Sequence, residues 1–195
     1  MGKIVVSSMV SIDGYTEGPG GDVSAMPMDR AFGRHNADRM RAASSLLFGA
    51  RTFQGMRSYW PHQLDNPQAS EDDRYIARRY TDGIPITVIS DTLTPEHTAP
   101  FGEQTSIVPR AQSGDAIAEL RKRDGEALVF GSRTMWGGLL AQGLVDVLYL
   151  MVGPKIVAGD EHAFSGVPET DLHLLDARRL DDSEIVLLTY APVLS

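Results

Sequence analysis

Two short stretches of the chain have the residue types that an anion requires. Gly49-Ala50-Arg51-Thr52 follows an apolar run and opens a segment with helical spacing, and Gly131-Ser132-Arg133-Thr134 does the same further along. In each, a glycine lets the backbone turn tightly at the end of a strand. The first amides of the next helix lack partners there, and a guanidinium and a hydroxyl stand beside them. Taken singly, the first stretch also has a plainer reading, in which Gly49 makes a turn, Thr52 caps a helix and Arg51 is solvated. Two such units in one chain suit a ligand carrying several phosphate groups. In an open parallel sheet such a ligand lies beyond the carboxyl ends of the strands, where both units would sit. Neither unit is a Gly-x-Gly-x-x-Gly, and there is no Walker Gly-Lys-Ser/Thr, so the common dinucleotide and nucleoside triphosphate folds are not supported.

The elements that must position these units alternate. Ile4, Val5 and Val6, within Met1–Met9, form an unbroken apolar run of the kind that a strand buried on both faces requires. Similar runs recur at Ser45–Phe48, Ile84–Ser90, Ala127–Phe130 and Val145–Val152. Between them, Arg30–Ala43 places Phe32, Ala37, Met40 and Ala43 near one helical face, with Asp29 where a cap or first-turn acid favours the helix dipole. Asp115–Lys122 repeats the pattern with Ala116, Ile117 and Leu120 and stops before Gly125. The pattern predicts an α/β fold with helices on both faces of a largely parallel sheet. The tail differs: Leu172–Ala177 and Glu184–Tyr190 read as strands joined by a polar Arg178–Ser183 turn, predicting a final antiparallel hairpin. Gln63–Asp73 and Thr92–Gln104 read as loops between core elements, and residues 1–195 as one domain.

Composition narrows the function. The 195 residues are 42% hydrophobic, enough for a sizeable core. Acids outnumber Lys plus Arg by 26 to 18, a formal charge of -8, so no general basic surface invites nucleic acid or an anionic membrane. With no cysteine there is no disulfide, thiol nucleophile or cysteine-held metal, and His35, His62, His97, His162 and His173 show no close ligand spacing, so no metal is expected. No Gly-x-Ser-x-Gly elbow supports a serine hydrolase. No run of 18 apolar residues or secretory leader is visible, and a soluble cytoplasmic protein is the expectation.

The order of several short motifs adds a resemblance. Ser11-Ile12-Asp13-Gly14, Glu17-Gly18-Pro19-Gly20-Gly21, Leu47-Phe48-Gly49-Ala50-Arg51-Thr52-Phe53, Tyr59-Trp60-Pro61, Val129-Phe130-Gly131-Ser132, Gly143-Leu144-Val145-Asp146 and Gly153-Pro154 follow one another along the chain. In this order and spacing the chain resembles the dihydrofolate reductase superfamily, in the bacterial branch grouped with the C-terminal reductase domain of riboflavin biosynthesis enzymes. The resemblance covers Val5 to about Tyr190. It implies a three-layer sandwich and a reduced nicotinamide cofactor, usually NADPH, lying across the sheet edge. Gly49, Arg51 and Thr52, with Gly131, Ser132, Arg133 and Thr134, would hold its phosphates, Asp13 and Gly14 would belong to a loop over the nicotinamide, and Ser90 would meet the adenosine ribose. Asp91 departs from the pattern, since a carboxylate repels a 2′-phosphate and suits the free ribose hydroxyls of NADH. Arg51 favours NADPH.

The resemblance also singles out Asp29, which matches the helix carboxylate that binds the pterin ring in folate reductases, as proton donor and substrate anchor. Phe32 and Trp60 would wall the substrate. Each has a bland counterpart, Asp29 as a helix cap and the two aromatics as core. Asp38 lies on roughly the opposite helical face from Asp29. In Gly159-Asp160-Glu161-His162, an acid replaces the threonine of a folate reductase loop. The expected activity is hydride delivery to C=N or C=O of a small pterin, pyrimidine or related heterocycle, as in dihydrofolate reduction or a riboflavin-pathway reduction. The alternative is a non-catalytic nucleotide- or pterin-binding module, favoured by Ser44 and Ala50, which stand where relatives are expected to carry an acid and an arginine. The apolar Val145–Val152 and tail strands suit a homodimer or a monomer core equally.

Overall fold

Lys3–Ser11 forms the first strand, β1, and every residue after Lys3 is buried. The computed structural model describes residues 2–193. After β1 the chain forms α1 (Arg30–Ala42), β2 (Ala43–Gly49), α2 (Ala50–Tyr59), α3 (Glu71–Thr81), β3 (Ile86–Ile89), β4 (Thr105–Val108), α4 (Ser113–Lys122), β5 (Glu126–Phe130) and α5 (Arg133–Ala141). It ends with β6 (Val147–Gly153), β7 (Leu172–Arg179) and β8 (Val186–Pro192). One eight-stranded sheet has the order β4-β3-β2-β5-β1-β6-β8-β7. Pairing is parallel from β4 through β6, while β8 runs antiparallel to both β6 and β7.

The unbroken apolar runs explain the layering, because successive residues of a strand point to opposite faces. Ile4, Val6, Leu47, Ala127 and Val129 pack against Ile117 and Leu120 of α4 and Trp136, Leu139 and Leu140 of α5. Val5, Leu46, Phe48 and Leu128 pack on the other face against Ala37 and Met40 of α1, Phe53 of α2, and Ile76 and Tyr80 of α3. Both faces are covered, which makes the sandwich three-layered.

Three elements depart most from the sequence expectation. The loop assigned to Gln63–Asp73 gives way to α3 at Glu71, because Ser70 and Asp73 form a reciprocal capping box: the Asp73 amide donates to Ser70 Oγ at 3.0 Å, and the Ser70 amide to Asp73 Oδ2 at 3.0 Å. β4 carries no long apolar run because it is a four-residue edge strand without a fully buried residue. The polar turn expected at Arg178–Ser183 begins later, since β7 extends through Arg179. An edge strand with an exposed side tolerates arginines.

Candidate functional site

β2 and β5 are neighbours, and each leads into a helix at its carboxyl end. The caps of these two helices differ from those of α1 and α3. Asp29 caps α1 by accepting from the Phe32 amide at 3.0 Å, and Ser70 caps α3. Gly49 begins α2 and Ser132 begins α5, and no side chain caps either helix. Their leading amides stay open, with the positive end of each helix dipole behind them. The two starts are also joined directly, because the Gly49 amide donates to Ser132 Oγ at 3.2 Å. Gly131 and Ser132 adopt positive φ, +52° and +59°. For Ser132 this is a left-handed conformation that costs a residue with a Cβ about 1 kcal/mol or more. At Gly49 a Cβ would stand 3.2 Å from Ser132 Oγ, so glycine there keeps the cradle open. Thr52 is half-buried on the first turn of α2, and Thr134 is exposed on that of α5.

The two arginines of these units are engaged by acids. Arg51 lies 3.4 Å from Glu17 through each of its terminal nitrogens and donates to the Gly21 carbonyl at 3.2 Å. Arg133 pairs with Glu161. Glu17 belongs to the loop after β1 and Glu161 to the loop after β6, and these loops are tied together. The Gly20 amide donates to Asp160 at 2.7 Å, and the Tyr15 ring stacks on His162 with centroids 4.3 Å apart. Asp13 is part of the same tie: its carboxylate accepts from the amides of Val157 at 3.2 Å and Ala158 at 2.9 Å. The Ser11 hydroxyl holds the Asp13 carboxyl below its usual range; desolvation opposes it, and the Ala158 and Val157 amides add to the lowering. Gly14 supplies the turn at φ +87°.

At the end of β3, Ser90 Oγ accepts from the Thr92 and Leu93 amides at 3.1 and 3.0 Å. Ser90 and Asp91 line a cavity of about 490 Å³ with Leu93, Thr98 and Ile107. Asp91 accepts from the Arg110 amide at 2.9 Å and pairs with its side chain at 3.4 Å. The Asp91–Arg110 contact is not legible in the sequence, because β4, which delivers Arg110, carries only a weak signal.

Asp29 lines a second, open cleft of about 700 Å³ with Met26, Met28, Pro154, Arg179 and Ser183. Its second oxygen accepts from Ser183 Oγ at 2.5 Å. Phe32 is half-buried and packs with Met9, Met26, Met151 and Leu187. Trp60 is placed elsewhere: its ring stacks on Tyr80 with centroids 6.0 Å apart, and its indole N–H donates to Met56 Sδ at 3.2 Å. It forms the α2–α3 corner and is not among the residues lining the Asp29 cleft. Asp38 pairs with Arg41 at 2.6 Å on the outer side of α1. Among the described residues no group of His, Asp or Glu is placed to hold a metal, and no helix is long and apolar enough to cross a membrane.

The sequence matches the RibD C-terminal domain over residues 2–187. The chain belongs to that family. Comparison with curated proteins finds no match. Solved structures share the fold at low identity. A candidate riboflavin biosynthesis protein from Shewanella sp. PV-4 is 18% identical with a TM-score of 0.71, over 98% of this chain and 99% of the other. Dihydrofolate reductase from Enterococcus faecalis, complexed with NADP(H) and RAB-propyl, is 15% identical with a TM-score of 0.58, over 97% and 96%. The Thermotoga maritima diaminohydroxyphosphoribosylaminopyrimidine deaminase/5-amino-6-(5-phosphoribosylamino)uracil reductase is 16% identical with a TM-score of 0.65, over 98% of this chain. The chain spans 56% of that bifunctional protein.

Proposed function

We propose that the protein is a reductase that binds NADPH at the paired starts of α2 and α5 and delivers hydride to a C=N or C=O bond of a small pterin, pyrimidine or related heterocycle. One observation carries the reading: two uncapped helix N-termini, on adjacent parallel strands and bridged by the Gly49–Ser132 hydrogen bond, present open amides to one region. Family membership and the reductases among the structural neighbours support the same reading.

The cofactor's phosphates fit this donor set. Amides at the starts of both helices, the Thr52 and Thr134 hydroxyls, and the Arg51 and Arg133 guanidinia would hold them, once the arginines leave Glu17 and Glu161. Ser90 would lie at the adenosine end, where Arg110 partly offsets the charge of Asp91. That pairing removes part of the repulsion that a bare Asp91 would exert on a 2′-phosphate, so Asp91 does not by itself exclude NADPH, and the preference for NADPH rests on Arg51. The nicotinamide would supply the hydride. Asp29 would anchor the amino-pyrimidine edge of the substrate and hold the proton at its carboxyl oxygen, and Phe32 would pack against the ring. Asp13 and Gly14 would set the loop that excludes water above the reacting atoms.

A second reading has its own observation. Both oxygens of Asp29 already accept hydrogen bonds, from Phe32 and Ser183, as a structural cap would. The protein would then bind a nucleotide or pterin without turning it over. NADPH oxidation, followed against a panel of dihydropterins and aminopyrimidines, separates the two. Turnover with one of them, lost in Asp29→Asn while melting is unchanged, is the expected result. NADPH binding without turnover across the panel gives the second reading, and absence of NADPH binding removes both.

A further inference from the structure

The acids beside the two arginines are not explained by cofactor binding, and they come from one connected layer. Glu17 reaches Arg51 from the loop after β1, and Glu161 reaches Arg133 from the loop after β6. The Gly20–Asp160 bond, the Tyr15–His162 stack and the Asp13 bonds to Val157 and Ala158 bind the two loops to each other. Two glycines allow the close fit. At Gly159 a Cβ would lie 2.3 Å from the Glu17 carbonyl oxygen, and at Gly21 it would lie 2.3 Å from Arg51 Nη2.

We infer that Glu17 and Glu161 act as internal anions, each holding the guanidinium at the start of α2 or α5, so that they set both the affinity and the charge selectivity of this site for phosphate. The inference rests on the proposed placement of phosphates at α2 and α5. An incoming phosphate must replace a carboxylate at each arginine. A multiply charged ligand does this better than a singly charged one, because its Coulomb attraction to each guanidinium exceeds that of a single carboxylate. The exchange also frees the loop after β1 from α2. The two glutamates thereby select against weakly charged ligands.

Glu17→Gln and Glu161→Gln keep side-chain size and remove the competing charge. Inorganic pyrophosphate and NADPH are titrated separately by calorimetry, with melting temperature as the control for folding. Each variant is expected to bind pyrophosphate ~2–5-fold more tightly than wild type, the range of an exposed ion pair, and the double variant ~10-fold more tightly. A second readout needs no cofactor: amide hydrogen exchange over residues 15–21 rises in Glu17→Gln without ligand, and in wild type only on adding pyrophosphate. Unchanged or weaker pyrophosphate binding in both variants, or unchanged exchange in Glu17→Gln, overturns the inference. If pyrophosphate responds as expected and NADPH fails to bind any form, the internal-anion role stands and the NADPH reading falls.

Discussion

His35 offers a test of the packing of α1 on the sheet. It is 6% exposed, sits edge-on to Tyr149 with ring centroids 5.4 Å apart, and leaves Nε2 without a hydrogen-bond partner. Burial first, then the charges of Arg39 and Arg178, push its imidazole down from 6.5 to about 4, with Asp38 opposing them. Between these values the unfolded chain takes up a proton that the folded protein refuses. Stability is therefore complete above pH 6.5 and falls as pH drops toward 4. Each unit of the difference is worth about 1.4 kcal/mol, so the loss is about 2 kcal/mol at pH 5 and roughly 3 kcal/mol once the folded form also titrates. Urea unfolding at pH 7, 6 and 5, for wild type and His35→Leu, measures it. The wild-type free energy should fall about 2 kcal/mol further than that of the variant between pH 7 and 5. Parallel curves for the two proteins would refute the burial of a neutral imidazole at this position.

Other substitutions test particular contacts. Asp29→Ala removes both the α1 cap and the Ser183 bond and should cost about 1–2 kcal/mol in thermal unfolding, whereas Asp38→Asn, on the outer side of the same helix, should cost under about 0.5 kcal/mol. Gly159→Ala places a methyl against the Glu17 carbonyl and should raise hydrogen exchange in residues 12–21 and 156–163 while the sheet core stays protected; unchanged exchange there would show that the two loops are not held together. Gly49→Ala brings a Cβ to 3.2 Å from Ser132 Oγ and should weaken NADPH binding several-fold in equilibrium titration, with melting changed by only a few degrees.

What could be read from the sequence follows the physics of each element. β1, β2 and β5 lie in the interior of a parallel sheet, so Ile4–Val6, Leu46–Phe48 and Ala127–Phe130 are apolar on both faces and appear as unbroken runs. The strand-to-helix turns at Gly49 and Gly131 are legible because a glycine closes each apolar run and a helix-opening Arg-Thr pair follows it. α3 was hidden by its charged surface, with only Ile76, Ala77 and Tyr80 buried, and β4 by its shortness and edge position. The partners of Arg51 and Arg133 were illegible for a different reason. Glu17 is 34 residues from Arg51 and Glu161 is 28 from Arg133, and only the folded sheet brings their loops together. Trp60 shows the opposite limit: its place beside a proline fitted both a pocket wall and a packed corner, and its contact with Tyr80 puts it in the corner.

On the proposed function, the open starts of α2 and α5, with Arg51 and Arg133, hold the phosphates of NADPH. Quenching of protein fluorescence by NADPH, in wild type and Arg51→Ala, tests it most directly. Saturable binding in the micromolar range is expected for wild type, with a loss of about 1.5–3 kcal/mol in Arg51→Ala, the value of a hydrogen bond to a charged group. A flat titration to millimolar NADPH with folded wild-type protein, or equal affinity in the two proteins, would contradict it.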